Sequence, residues 1–285
     1  MTTLPIIALL YDFDRTLSPK DMQEDSFIPS IAMPSAQFWH ESNGMAEAHH
    51  MDKVLAYMYL MLKKSKEKGR SIRREAFQEY GRSVELFPGV PQWFDRINEY
   101  GACQGYQIHH YIISSGLMEI IEGTEIARFF KAIFASAYYY DETGAAQWPA
   151  LAVNYTSKTQ YLFRINKGIL DVNRDEEVNT HMPDSIRPVT FPRMIYLGDG
   201  FTDVPCMKLV RENGGHSIAV YQGQTNESIA ALMKDDRVDC VFPADYRTGS
   251  ALDQYVHHVI DKITANDRIQ KIYLEQKEAI SAIKL

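Results

Sequence analysis

Three short, almost wholly apolar runs mark this chain: Ile6-Ile7-Ala8-Leu9-Leu10-Tyr11, Tyr111-Ile112-Ile113 and Met194-Ile195-Tyr196-Leu197. Runs of this length without polar alternation predict strands buried on both faces, as in a parallel sheet. Each leads into a polar tip: Asp12-Phe13-Asp14-Arg15-Thr16 after the first, Ser114-Ser115-Gly116 after the second, and Gly198-Asp199-Gly200-Phe201-Thr202-Asp203 after the third. Further strands are expected at Ala132 to Ser136, Ser217 to Val220 and Val238 to Phe242, with a hairpin turning at Asp141-Glu142-Thr143-Gly144.

Between the first two strands the period changes. From about Asp21 to Glu85 there is no strand alternation, and Met51, Leu55, Met58 and Leu62 recur at helical spacing. Tyr57, Tyr59, Leu60 and Met61 fill the other sides, so this helix is expected to be buried over most of its circumference. Phe87-Pro88-Gly89-Val90 restarts the α/β pattern, with a helix through Tyr100 and a strand near Ile108 to Ile113. The predicted organisation is an α/β core, residues 1–17 and 86–285, interrupted by a helical insert, residues 18–85. Ser157 to Ile165 reads as a helix opened by Lys158, and the polar, proline-containing stretch from Asp171 to Pro192 as a surface excursion. Leu252, Tyr255, Val256, Val259 and Ile263 form one face of a closing helix. A charged, partly apolar helix from Asn266 to Leu285 then either covers the core or meets another subunit.

Two carboxylates leaving a strand end together, Asp12 and Asp14, suit a nucleophile beside an acid/base. A carboxylate attacks phosphorus effectively when a divalent cation and fixed donors neutralise the phosphoryl group, giving an aspartyl phosphate. With Ser114, Lys158 and the acidic loop at Asp199 and Asp203 following in order, the chain resembles the haloacid dehalogenase (HAD) superfamily of phosphohydrolases. It is most similar to the phosphoserine-phosphatase-like branch, where a helical cap of the C1 type lies between the first two motifs. The resemblance implies a three-layer, Rossmann-like α/β fold under a helical cap, and a Mg²⁺-dependent phosphatase acting on a small-molecule phosphate ester.

Residue by residue, the resemblance makes Asp12 the nucleophile and Asp14 the acid/base, with Thr16 bracing the turn. Ser114, the first residue past its strand, would bind a phosphoryl oxygen, with Ser115 the alternative and the Ser115 and Gly116 segment adding phosphate contacts. Lys158 would pair with Asp12 and the phosphoryl group. The implied Mg²⁺ ligands are Asp12, the Asp14 carbonyl and Asp199, an oxygen-only set that favours magnesium over zinc. Asp203 would orient a metal-bound water or Lys158, with direct ligation the alternative. Thr202 departs from the asparagine this branch often carries. The cap is expected to choose the leaving group, with Asp21 near the place where the resembled phosphatases read a substrate amine. Glu24, Asp25, Arg70, Arg73 and Arg74 are the other polar candidates there.

Composition trims the alternatives. A chain of 285 residues, 45% hydrophobic and 24% charged, can bury a large core beside a smaller domain. A net charge of −7 argues against nucleic-acid binding, which needs clustered cations. Cys103, Cys206 and Cys240 form no CxxC and suit reduced thiols, with Cys206 read as packing. The paired histidines, His49-His50, His109-His110 and His257-His258, lack metal-site spacing and read as structural. No run approaches the roughly 18 residues of a membrane span and no signal-peptide pattern opens the chain, so a cytoplasmic protein is expected and membrane pumps sharing the motifs are excluded. A dehalogenase would have no use for the extra carboxylates around an anionic substrate. Phosphomutase and a catalytically idle binding protein remain the alternatives, and the oligomeric state is open.

Overall fold

The computed structural model describes residues 4–70, 72–200, 202–225 and 227–281. Seven strands form one sheet in the order β4-β3-β2-β1-β5-β6-β7: β1 (Ile6–Tyr11), β2 (Gln107–Leu117), β3 (Phe130–Tyr140), β4 (Ala146–Leu151), β5 (Met194–Gly198), β6 (His216–Tyr221) and β7 (Cys240–Pro243). All neighbours are parallel except the β3–β4 hairpin. Alternation along β1 feeds both faces: Ile7, Leu9 and Tyr11 join one buried cluster, Ala8 and Leu10 the other. Helices cover both faces, completing the three-layer α/β architecture.

The site is placed by register. Tyr11 is paired with Ile112 of β2 on one side and Leu197 of β5 on the other, so the residues that follow all leave the sheet at one carboxyl edge. That edge, where neighbouring strands run out in opposite directions of the order, is where open α/β sheets bind ligands.

β2 departs from expectation. It does not stop at Ile113 but runs to Leu117, and Ser114 lies inside it. Ile113 pairs with Phe134 and Leu117 with Ser136, so four steps on β2 face two on β3, a bulge that turns the serines out of the ladder. β3 is also longer than the expected 132–136 segment.

The described residues of 18–85 contain four helices, Phe27–Ser30, Ser35–His49, Lys53–Glu67 and Arg74–Gly81. The third starts at Lys53, with Met51 outside it, because Asp52 caps it: Oδ1 accepts from the Val54 and Leu55 N–H groups at 2.8 and 3.1 Å. Its buried face carries Val54, Tyr57, Met58, Leu60 and Met61. These residues join Phe27, Phe38 and Phe77 in the same apolar cluster as Tyr11, Trp93, Ile120 and Tyr138 of the α/β part. Phe77 stacks on Tyr138, and the hairpin bonds back to the helical segment through Ala146 N–H and the Ile72 carbonyl. Of the hairpin aromatics, Tyr138 is core whereas Tyr139 and Trp148 are exposed.

One later expectation gains detail and another changes. The 171–192 stretch holds a short helix, Asp175–Asn179, and is tied down by Arg164 to the Asp171 and Val172 carbonyls and by Asn166 to Val189. The closing helix and the expected helix from Asn266 are one uninterrupted helix, Ala251–Ser281. Leu252, Val256, Val259, Ile260 and Ile263 are buried, but beyond Thr264 the helix leaves the core instead of covering it. Residues 282–285 of that expectation, and Phe201 of the acidic loop, lie outside the described residues. No described helix is long and apolar enough to cross a membrane.

Candidate active site

After β1 the chain extends the ladder by one bond, Asp12 N–H to the Leu197 carbonyl at 2.9 Å, and then turns back. The Phe13 carbonyl accepts from the N–H groups of Thr16, Leu17 and Ser18, and Arg15 takes a positive φ of 60°. Phe13 and Leu17 anchor the turn in the core. Thr16 is fully buried and fixes the turn through its carbonyl, which accepts from Tyr246 Oη at 2.8 Å, while its hydroxyl makes no hydrogen bond. The turn presents Asp12 and Asp14 to a cavity of about 550 Å³.

Asp14 is turned towards the helical segment, where its Oδ1 accepts from the Met22 N–H at 2.9 Å. Gly116 packs beside it: a Cβ there would meet Met22 Cε at 2.3 Å and Asp14 Oδ2 at 3.0 Å. Ser114 Oγ accepts from the Gly116 N–H at 3.1 Å. The Ser115 carbonyl accepts from Tyr57 Oη, a residue of the helical segment, at 2.7 Å, whereas Ser115 Oγ is buried without a partner.

Behind these groups Lys158, at the start of helix Lys158–Lys167, is fully buried. Its Nζ lies 2.7 Å from Asp203 Oδ1 and 3.1 Å from Asp12 Oδ1, the second contact lying off the direction of a hydrogen bond. Asp203 Oδ1 also accepts from Tyr196 Oη at 2.8 Å. Asp203 can come so close only because residue 198 is glycine, since a Cβ there would lie 2.5 Å from Asp203 Oδ2.

Asp12, Asp14, Asp21, Ser114, Ser115, Gly116, Asp199 and Thr202 therefore line the cavity, while Thr16, Lys158 and Asp203 stand behind its wall. Arg70, Arg73 and Arg74 are not at the cavity: they bond the Ser30 carbonyl, the Thr143 carbonyl and Glu122. Glu24 and Asp25 are taken up by Trp39 and Lys20. The residues missed by motif reading are Tyr196, Met22 and Tyr57. A hydroxyl inside an otherwise apolar buried strand needs a partner, and that was the available signal for Tyr196.

The electrostatics follow from crowding. Burial, then the Asp203 charge, push the Asp12 carboxyl up to about 6 against the opposing pull of Lys158. Burial, then Asp203 and Asp12, push Asp199 up to about 8. Asp14 is held well above the usual carboxylate range by burial, then by Asp21 and Asp12. Burial opposes the charge on Lys158, but Asp12 and Asp203 outweigh it and raise its pKa. Burial keeps Cys206 a thiol, with a pKa of about 12, and it packs in the apolar cluster below.

Asp12, Asp199 and Asp203 offer carboxylate oxygens within 4.8 Å of one another. Two buried acids and one half-buried acid facing one lysine leave uncompensated negative charge, and an oxygen-only donor set fits a hard divalent cation. Asp203 is already engaged by Lys158 and Tyr196, which leaves Asp12 and Asp199 as the less committed donors. The Asp14 carboxyl lies outside this group.

No protein-family model matches the chain. An uncharacterized protein of Borreliella burgdorferi is 27% identical over 278 residues, 88% of this chain and 95% of that protein. Among solved structures, a HAD-family hydrolase from Salmonella enterica serovar Typhi superposes with a TM-score of 0.55 at 15% identity, covering 89% of this chain and 71% of the other. A probable phosphoserine phosphatase from Vibrio cholerae gives 0.54 at 10% identity, over 93% and 68%. A phosphoserine phosphatase in its apo form gives 0.53 at 14% identity, over 85% and 96%. At these identities the likeness concerns architecture, and it coincides with an acidic cluster at the same sheet edge that the motifs mark: the chain has the haloacid dehalogenase fold, in the form found in phosphoserine phosphatases.

Proposed function

We propose that the protein is a Mg²⁺-dependent phosphatase that hydrolyses a small-molecule phosphomonoester through an aspartyl phosphate on Asp12. The observation that carries this reading is the pairing of two differently held carboxylates at one turn: Asp12, against the buried Lys158 ammonium, and Asp14, held by the Met22 N–H and raised above the usual carboxylate range by burial and by the Asp21 and Asp12 charges. Asp12 would attack phosphorus as the bond to the leaving oxygen breaks, and Asp14 would give that oxygen its proton. The deprotonated Asp14 would then take a proton from the water that cleaves the aspartyl phosphate, releasing inorganic phosphate and restoring both groups. Ser114, Ser115 and the main chain at Gly116 would cradle the phosphoryl oxygens. Asp12, Asp199 and the Asp14 carbonyl would hold Mg²⁺, which supplies charge neutralisation for the phosphoryl group and keeps Asp12 ionised. Asp203 would hold Lys158 in place.

Residues 18–85 are proposed as the cap and 1–17 with 86–285 as the catalytic core. Free cysteines at 103, 206 and 240 support a cytoplasmic setting. The test is phosphate release from a phosphomonoester panel with Mg²⁺, with a chelator, and with Asp12→Asn. Turnover abolished by both controls is the expected result; turnover that survives Asp12→Asn would overturn the nucleophile assignment.

A further inference from the structure

The cavity wall also contains residues that the hydrolytic chemistry does not use. Gln23 and Ser42 line it and are each only 2% exposed. Gln23 Oε1 is buried with no hydrogen-bond partner among the described residues. Asn43 lines the same wall. Leaving a buried carboxamide oxygen unpartnered is costly, and a ligand supplying a donor would recover that cost.

Charge on this wall is already consumed. Asp21 is closed by Arg15, whose Nη2 and Nε donate to its two oxygens at 3.0 and 3.3 Å. Asp52 caps its helix with Oδ1 and accepts from Asn154 Nδ2 with Oδ2 at 2.8 Å. Both carboxylates thus already have partners within the chain. Among the described residues of 18–85 that line the cavity, the one cation is Lys53, which is exposed, and an exposed lysine holds a carboxylate weakly. Trp39 and Tyr57 have their polar atoms bonded to Glu24 and to the Ser115 carbonyl, so ring surface is what they offer.

Carboxamides and hydroxyls that both donate and accept, set beside aromatic rings, match a ligand whose hydroxyls do the same and whose C–H faces pack on rings. We infer that Gln23, Ser42 and Asn43 form a leaving-group subsite for an uncharged polyhydroxylated alcohol, so that the substrate is a polyol or sugar monophosphate. This rests on the phosphatase reading. It departs from recognition of an amine by Asp21, because Asp21 is occupied by Arg15.

The test compares kcat/KM for glycerol, pentose and hexose phosphates with that for phosphoserine, phosphoethanolamine, phosphoglycerate and p-nitrophenyl phosphate, in the native protein and in Gln23→Met. At least one polyol or sugar phosphate is expected to exceed the amine- and carboxylate-bearing esters by about tenfold or more. In Gln23→Met, the ratio of kcat/KM for that ester to that for p-nitrophenyl phosphate is expected to fall about tenfold, carried by KM. Preference for phosphoserine, phosphoethanolamine or phosphoglycerate would overturn the inference, and so would an unchanged ratio in Gln23→Met. If p-nitrophenyl phosphate is hydrolysed but no polyol ester is favoured, the subsite assignment alone fails. If no ester is turned over, the phosphatase reading fails, and calorimetry with the same polyol phosphates decides the subsite: binding lost in Gln23→Met supports it, and no binding overturns it.

Discussion

Without a cation, desolvation and the Asp203 and Asp12 charges raise the half-buried Asp199 carboxyl to about 8, so the folded chain keeps a proton which an ordinary aspartate, at 3.8, releases. At this group the folded state therefore binds more protons than the unfolded one between those values, so the Asp199 contribution to the stability of the metal-free protein falls as pH rises from about 4 to about 8. Asp199→Asn removes the repulsion. The metal-free variant is expected to gain on the order of 1–2 kcal/mol at pH 7.5, a rise of roughly 3–6 °C in Tm, while losing the stabilisation Mg²⁺ gives the native protein. Thermal scans with and without Mg²⁺ check this; an unchanged metal-free Tm would remove the electrostatic account of the cluster. Asp12, Asp14, Asp199 and Lys158 were legible in sequence because acids and a lysine at strand and helix starts carry their chemistry in the side chain. Met22 was not, because it contributes a main-chain N–H to Asp14, which any residue could supply. The occupied state of Asp21 was equally hidden: only the left-handed turn at Arg15 brings that guanidinium round to it.

Among elements, β1, β2 and the helix Val90–Cys103 are joined by a chain of buried hydrogen bonds. Trp93 Nε1 donates to Tyr11 Oη at 2.9 Å, Tyr11 Oη lies 3.0 Å from His110 Nδ1, and His110 Nε2 lies 3.1 Å from Asn98 Oδ1. Burial, then the neighbouring His109, lowers the His110 pKa to about 3. The unfolded chain takes up this proton near 6.5 and the folded chain does not, so the contribution is present above 6.5 and lost as pH falls towards 3. Between pH 7 and pH 5, urea denaturation is expected to show the native protein losing about 2 kcal/mol relative to His110→Gln; equal pH dependence in both proteins would refute the role. The central strands were readable because they are apolar on both faces. The bulge in β2 was not, because its cause is register against β3 and no residue type announces it. The long last helix misled for a related reason: its second half keeps apolar residues such as Ile269, Ile272 and Ile280, yet these are 66%, 55% and 68% exposed. Ending the chain after Gln270 is accordingly expected to leave Tm within about 1 °C, since exposed side chains contribute little.

At the scale of the whole molecule, the division into core and helical insert that the change of period suggests does not divide the apolar interior. Phe38, Tyr57 and Phe77 belong to one cluster with Tyr11, Trp93 and Tyr138. Calorimetry is expected to show one unfolding transition with matching van't Hoff and calorimetric enthalpies; two resolved transitions would show independently stable parts. The shared cluster also constrains kinetics. A lid that swung clear of the carboxylates would strip Tyr57 from the Ser115 carbonyl and expose buried aromatic surface at each turnover, at about 25 cal/mol per Å². Ligand traffic should then pass through a standing entrance instead of a swinging one, so raising solvent viscosity with sucrose should leave kcat unchanged, and phosphoproteins too bulky for a 550 Å³ chamber should be turned away at the door.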